Sequence, residues 1–173
     1  MSHTVIRRTE MVGASLNLGG QPLDLTEYST TGLMALAVGP RGFGKTNAGL
    51  LMAEQLSEQG WVSVLIDPEG ELESIYGAAV ADADALRQRL TLRDVPIVVV
   101  SAKDALDFIP YGQVILEVAD ELRKPLFVCI DEGQLFSAAR KRADGVGEAC
   151  DIIAQFAERG RKRALDLFVT ALR

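Results

Sequence analysis

Residues Gly39-Pro40-Arg41-Gly42-Phe43-Gly44-Lys45-Thr46 satisfy the pattern G-x-x-x-x-G-K-[ST] at every fixed position. Each position has a chemical reason. Glycines let the backbone curl until successive N–H groups point at phosphate oxygens. A helix starting at the end of the loop adds its unpaired first-turn amides and the positive end of its dipole. Lys45 supplies a point charge for the β- and γ-phosphates of ATP, and the Thr46 hydroxyl is placed to ligate Mg²⁺. The expected nucleotide-binding residues are therefore Gly39, Pro40, Arg41, Gly42, Phe43, Gly44, Lys45, Thr46 and Asn47. A chance Gly-rich turn is disfavoured by the context, a continuous apolar run before the motif and a helix-forming run after it.

A second group sits far downstream. The apolar run Leu126 to Ile130 ends at Asp131-Glu132. Two adjacent carboxylates at the end of a buried strand are costly unless they act on something. On its own this pair reads equally well as an acidic start to a loop. With the phosphate loop upstream it reads as a Walker B segment, because strand ends of one parallel sheet converge on one edge. Asp131 then holds Mg²⁺ through water, beside Thr46, and Glu132 orients and polarises the attacking water. Lys45 and Glu132 are the expected catalytic residues. A glutamate directly after the aspartate favours hydrolysis over phosphoryl transfer to a small molecule.

These residues need strands to carry them. Leu33 to Val38 is a continuous apolar run, as expected of a strand buried on both faces. Thr46 to Gln59 is rich in helix formers and is stopped by Gly60. Strand-like runs follow at Trp61 to Ile66, Ile97 to Val100, Leu126 to Ile130 and Leu165 to Thr170, with helix-like stretches at Asp82 to Leu92, Tyr111 to Arg123 and Val146 to Arg159. Strands alternating with helices imply a mostly parallel sheet covered on both faces. The expected fold is a three-layer α/β/α P-loop NTPase of the RecA/ASCE-like kind. The first 30 residues differ: short pieces at Val5 to Arg8 and Ser15 to Leu18, then Gly19-Gly20 and Pro22, suggest a small hairpin or edge extension. The expected division is 1–30 for this extension and 31–173 for the ATPase domain.

Composition narrows the class. The chain has 173 residues, which suits one domain, and 48% of them are apolar, enough for a real core. A net charge of −6 argues against indiscriminate nucleic-acid binding by the whole surface, though not against a local basic patch. Two cysteines and one histidine do not make a disulfide scaffold or a His/Cys metal site. No apolar run approaches the roughly 18 residues of a membrane span, and Met1 to Glu10 lacks a signal core. The expectation is a reduced, cytoplasmic protein with no membrane partner.

Three further segments narrow the reading. Trp61 to Ile66 runs into Asp67-Pro68-Glu69-Gly70-Glu71. Asp131-Glu132 is followed by Gly133-Gln134-Leu135-Phe136. Glu158-Arg159-Gly160-Arg161-Lys162-Arg163 leads into the strand-like run at Leu165. In that order, with the GKT loop, these resemble the HerA/FtsK superfamily of motor ATPases, closer to the HerA branch, over about Leu33 to Arg173. The resemblance implies a homo-oligomeric ring, usually a hexamer, that moves double-stranded DNA through a central channel, with a partner protein such as a nuclease. It also implies ATP between neighbouring subunits and an arginine finger supplied in trans. Arg161 is the first candidate for that finger, beside Arg159 and Arg163, with Arg140 and Arg142 as a second group. Any of these arginines can equally be a solvated helix end.

Two departures from the family pattern stand out. The family usually carries a "TQR" signature whose glutamine senses the γ-phosphate. The corresponding stretch here is Thr170-Ala171-Leu172-Arg173, with Leu172 at the glutamine position and Thr170 or Arg173 as possible substitutes. The family fold also continues with a strand beside the phosphate-loop strand. Without it that strand has an open edge, which the N-terminal hairpin covers unless the chain is a truncated or minimal motor. The sequence thus leaves a DNA motor, a slow ATPase switch with a protein partner, and a small-molecule kinase as alternatives. Glu132 argues against the last. Asp67 and Glu71 either touch nucleotide or only shape a Pro-Gly turn.

Overall fold

The computed structural model describes residues 14–28, 32–137 and 144–172. The β-branched and apolar runs become strands β3 (Met34–Val38), β4 (Val62–Asp67), β5 (Ile97–Ser101), β6 (Leu126–Ile130) and β7 (Leu165–Ala171). They form one five-stranded sheet in the order β3-β7-β6-β4-β5. Every neighbouring pair is parallel. Parallel neighbours need crossovers, and helices α1 (Lys45–Glu58), α3 (Ala83–Leu92), α4 (Ala105–Leu122) and α6 (Val146–Arg163) supply them. Two short helices, α2 (Glu73–Tyr76) and α5 (Gln134–Ser137), follow β4 and β6.

The sheet separates two hydrophobic clusters. On one face Leu86 and Leu90 of α3, Phe108, Ile115 and Val118 of α4, and Ile152 and Phe156 of α6 meet Val64, Val100, Val128 and Leu167. On the other, Met52, Ala53 and Leu56 of α1 meet Leu65, Val99, Phe127 and Phe168. Alternate residues of β4 to β7 therefore go to opposite clusters, and β4 is buried along its whole length. This is the expected three-layer α/β/α architecture.

The N-terminal region adds a separate two-stranded antiparallel sheet, β1 (Ser15–Leu18) with β2 (Gln21–Asp24). Its second strand follows Gly19-Gly20, so the hairpin turns at the glycines. The expected strand at Val5 to Arg8 and the division at residue 30 fall outside the described residues. The hairpin docks on α1 rather than on the parallel sheet. Gln59 clasps Ser15, accepting from its N–H at 3.0 Å and donating to its carbonyl at 2.8 Å. Gln55 does the same for Asn17, at 2.6 and 3.0 Å. Leu16 and Leu25 are buried in the same cluster as α1.

Three expectations are corrected. β3 is not buried on both faces. It is the sheet's edge, and Met34, Leu36 and Val38 are 62%, 65% and 54% exposed, while Ala35 and Ala37 face the α1 cluster. An apolar run does not reveal whether a helix covers it, and here the cover provided by α6 stops at β7. Among the described residues the hairpin does not pair with that edge, since β1 and β2 form their own sheet. Second, α4 begins at Ala105, six residues before Tyr111, because Asp104 caps it by accepting the Asp107 N–H at 3.0 Å. Pro110 lies inside the helix. Third, α6 continues past Arg159 through Gly160. That glycine does not stop the helix; a Cβ there would lie 2.4 Å from the Leu165 carbonyl oxygen of the incoming strand, so only glycine lets α6 and β7 approach.

Candidate nucleotide site

All five parallel strands point their carboxyl ends to the same edge, so the loop after β3, the Asp67 turn after β4, the acidic pair after β6 and the end of β7 converge there. They enclose a cavity of about 460 Å³ lined by Arg41 to Asn47, Glu69, Glu71, Asp131, Glu132 and Thr170 to Leu172. Most of the expected site residues are thus brought together. Gly39 and Pro40 do not line the cavity. Their carbonyls instead hold Lys45, whose Nζ donates to them at 3.0 and 2.8 Å.

The loop's shape follows from its glycines. Gly42 and Gly44 have φ of 80° and 76°, a left-handed conformation that side chains resist. Gly44 is the N-cap of α1 and offers no side-chain cap, so the first-turn amides of α1 are left for a ligand. The Gly39 N–H donates to the Ala171 carbonyl at 3.3 Å, which fixes the start of the loop against β7.

Around the carboxylates the hydrogen bonds are dense. Thr46 Oγ1 donates to Asp131, lying 3.1 and 3.2 Å from its two oxygens. Thr170 Oγ1 also donates to Asp131 and accepts the Glu132 N–H at 2.9 Å. Glu132 adopts a left-handed backbone, φ 47°. Its carboxylate is 3.7 Å from the Arg41 guanidinium, so the phosphate loop and the acidic pair also meet through opposite charges. Beneath them Cys129 is fully enclosed. Burial pushes its thiol well above the ordinary value, and the Asp131 carboxylate adds to the shift.

Thr46 Oγ1 and an Asp131 oxygen suit Mg²⁺. It takes hard oxygen ligands at 2.0–2.1 Å in an octahedron, whose neighbouring ligands lie about 2.9 Å apart. The 3.1 Å separation is close to that edge.

Asp67 has a structural role. It is buried, and its carboxylate accepts the N–H groups of Glu69, Gly70 and Leu72 at 3.1, 2.9 and 2.8 Å. It shapes the turn, and the turn delivers Glu69 and Glu71 to the cavity wall. Glu69 was missed as a site residue; nothing in an acidic Pro-Gly turn singles it out.

Arg159, Arg161 and Arg163 lie on the last turns of α6. Arg140 and Arg142 fall outside the described residues, as does Arg173. Leu172, at the position where the resemblance expects glutamine, lines the cavity, and its N–H donates to Gln134 Oε1 at 3.1 Å.

No protein-family model matches the chain, and no curated protein matches it. Solved structures do. The genome packaging NTPase B204 from Sulfolobus turreted icosahedral virus 2, in complex with ATP-gammaS, aligns with a TM-score of 0.60 at 17% identity, over 83% of this chain and 66% of that one. The pCW3 conjugation coupling protein TcpA, with ATPgS, aligns with a TM-score of 0.52 at 16% identity, over 99% of this chain and 51% of that one. The ATPase domain of G40P aligns with a TM-score of 0.53 at 15% identity, over 83% of this chain and 58% of that one. At these identities the likeness is one of fold, and that fold is the P-loop NTPase fold. The chain spans about two thirds of the packaging NTPase and half of the coupling protein.

Proposed function

We propose that the chain binds Mg·ATP in the cavity between the phosphate loop and the acidic pair and hydrolyses it. The observation that carries this is the contact between Thr46 and Asp131, which closes two distant motifs around one magnesium-sized corner. The amides of Gly42 to Asn47 and the Lys45 ammonium would bind the phosphates. Thr46 and Asp131 would hold Mg²⁺, which when bound neutralises charge on the β- and γ-phosphate oxygens. Glu132 would orient a water toward the γ-phosphorus and accept its proton, giving ADP and inorganic phosphate. Arg41, within 3.7 Å of Glu132, keeps that carboxylate paired at the mouth of the site.

The biological setting we propose is a HerA/FtsK-like DNA motor, acting as a cytoplasmic homo-oligomeric ring, usually a hexamer, on double-stranded DNA with a protein partner such as a nuclease. The motif order supports it, as do neighbours described as a packaging NTPase and a conjugation coupling protein. No helix among the described residues is long and apolar enough to cross a membrane. Arg161 is our candidate for the arginine finger. The 1–30 extension and the 31–173 ATPase domain are proposed as the organising units. A second reading, a slow ATPase switch with a protein partner, is favoured by Leu172, whose apolar side chain cannot sense a γ-phosphate. ATPase rate with and without double-stranded DNA, run beside native mass measurement, separates the two. Stimulation by DNA in an oligomer supports the motor; DNA-independent turnover by a monomer refutes it.

A further inference from the structure

The end of β7 is bonded to both halves of the site. The Ala171 carbonyl accepts from Gly39 of the phosphate loop, and the Thr170 carbonyl accepts the Gly133 N–H at 2.7 Å. The turn after β6 lies so close that a Cβ on Gly133 would come within 2.3 Å of Val169 Cγ1. Between these two anchors sits the Thr170 side chain, 1% exposed.

A hydroxyl can donate once and accept twice. Thr170 uses both abilities at once, donating to Asp131 and accepting the N–H of Glu132. On the β3 side its register partner is Ala37, and both printed bonds of its hydroxyl go to the acidic pair that follows β6. Glu132 holds a left-handed backbone, which a non-glycine residue adopts only at a cost. Such a conformation persists where surrounding bonds over-determine it, and here the Thr170 hydroxyl and carbonyl supply two of them.

We propose that Thr170 is a positioning residue, whose hydroxyl fixes Asp131 and Glu132 relative to each other and to the phosphate loop for hydrolysis. The proposal rests on the ATPase reading above. It adds that this hydroxyl ties the end of β7 to both members of the acidic pair. A merely space-filling threonine would tolerate valine, which has nearly the same shape. A positioning threonine would tolerate serine instead.

The test compares Thr170→Val and Thr170→Ser with the unaltered chain, measuring ATP dissociation constant, kcat and KM at saturating Mg²⁺. Loss of a supporting hydrogen bond of this type lowers function about 10–100-fold. The expected result is a kcat reduced at least about tenfold in Thr170→Val with ATP affinity within about threefold, and a kcat within about threefold in Thr170→Ser. If Thr170→Val does not fold, Thr170→Ala replaces it under the same criteria. Full turnover in the hydroxyl-free variant, or an equal loss in Thr170→Ser, overturns the positioning role. An unaltered chain that neither binds nor cleaves ATP overturns the ATPase reading and this inference together, an outcome distinct from either of the first two.

Discussion

Thr46 and Asp131 are 85 residues apart in the chain, and the Thr46 hydroxyl lies 3.1 Å from an Asp131 oxygen. The first opens α1 and the second follows β6, with β7 running between their parent strands. Removing either oxygen should therefore act through magnesium. Thr46→Ala and Asp131→Asn are expected to raise the Mg²⁺ concentration needed for half-maximal turnover at least about tenfold, the scale of an altered metal site. A magnesium titration of the ATPase rate checks this, and an unchanged midpoint in both variants would contradict it.

Arg41 and Glu132 form a pair of a different kind. The Arg41 side chain is largely exposed and the distance is 3.7 Å, so the pair is worth little to the fold. Arg41→Ala is expected to leave the melting temperature within about 2 °C, consistent with less than about 1 kcal/mol for an exposed pair. A melting curve shifted by much more would mean that the loop is a structural strut.

Asp166 should behave in the opposite way. It is fully buried in β7 and accepts the Leu33 N–H at 2.8 Å and the Trp61 Nε1–H at 3.2 Å. Alanine would leave both donors without that partner, at about 3 kcal/mol in total. The melting temperature should fall by roughly 6–12 °C for a domain of this size. The two donors use different oxygens, so Asp166→Asn can keep at most one of the two bonds and should lose less than alanine does. Equal losses in the two variants would show that the carboxylate's acceptor geometry is not what matters.

Cys129 makes stability sensitive to alkali. Its thiol is pushed up in the folded chain, so the folded state keeps a proton that the unfolded state releases above the ordinary value of 9.0. The unfolded state then binds fewer protons, and unfolding becomes easier as pH rises. Stability from this group is complete below pH 9.0 and declines above it. Denaturant midpoints for the unaltered chain and Cys129→Ala between pH 8 and 10.5 should converge as pH increases. Thiol reagents should modify exposed Cys150 in the folded chain and reach buried Cys129 only on unfolding.

The phosphate loop was legible because its function fixes backbone conformation, and conformation fixes residue type: Gly42 and Gly44 have positive φ, and Lys45 and Thr46 sit where the helix starts. The strands β4 to β7 were legible because they are apolar and short. The exposed face of β3 was not, since Met34, Leu36 and Val38 are the same residue types that fill a core. Nor was the continuation of α6 through Gly160, where a contact with Leu165 overrides a local stop signal. Thr170 was visible only as a substitute for the missing glutamine, not as a partner of the acidic pair. Its two bonds depend on the order β7-β6, which no local pattern encodes.

The most direct test of the account is ATP binding and turnover by Glu132→Gln beside the unaltered chain. The glutamine keeps the size of the side chain and loses its ability to accept a proton. The account predicts a variant that binds Mg·ATP about as tightly as the unaltered chain and cleaves it at least about 100 times more slowly, within the range expected of a lost general base. Cleavage at the unaltered rate would contradict it.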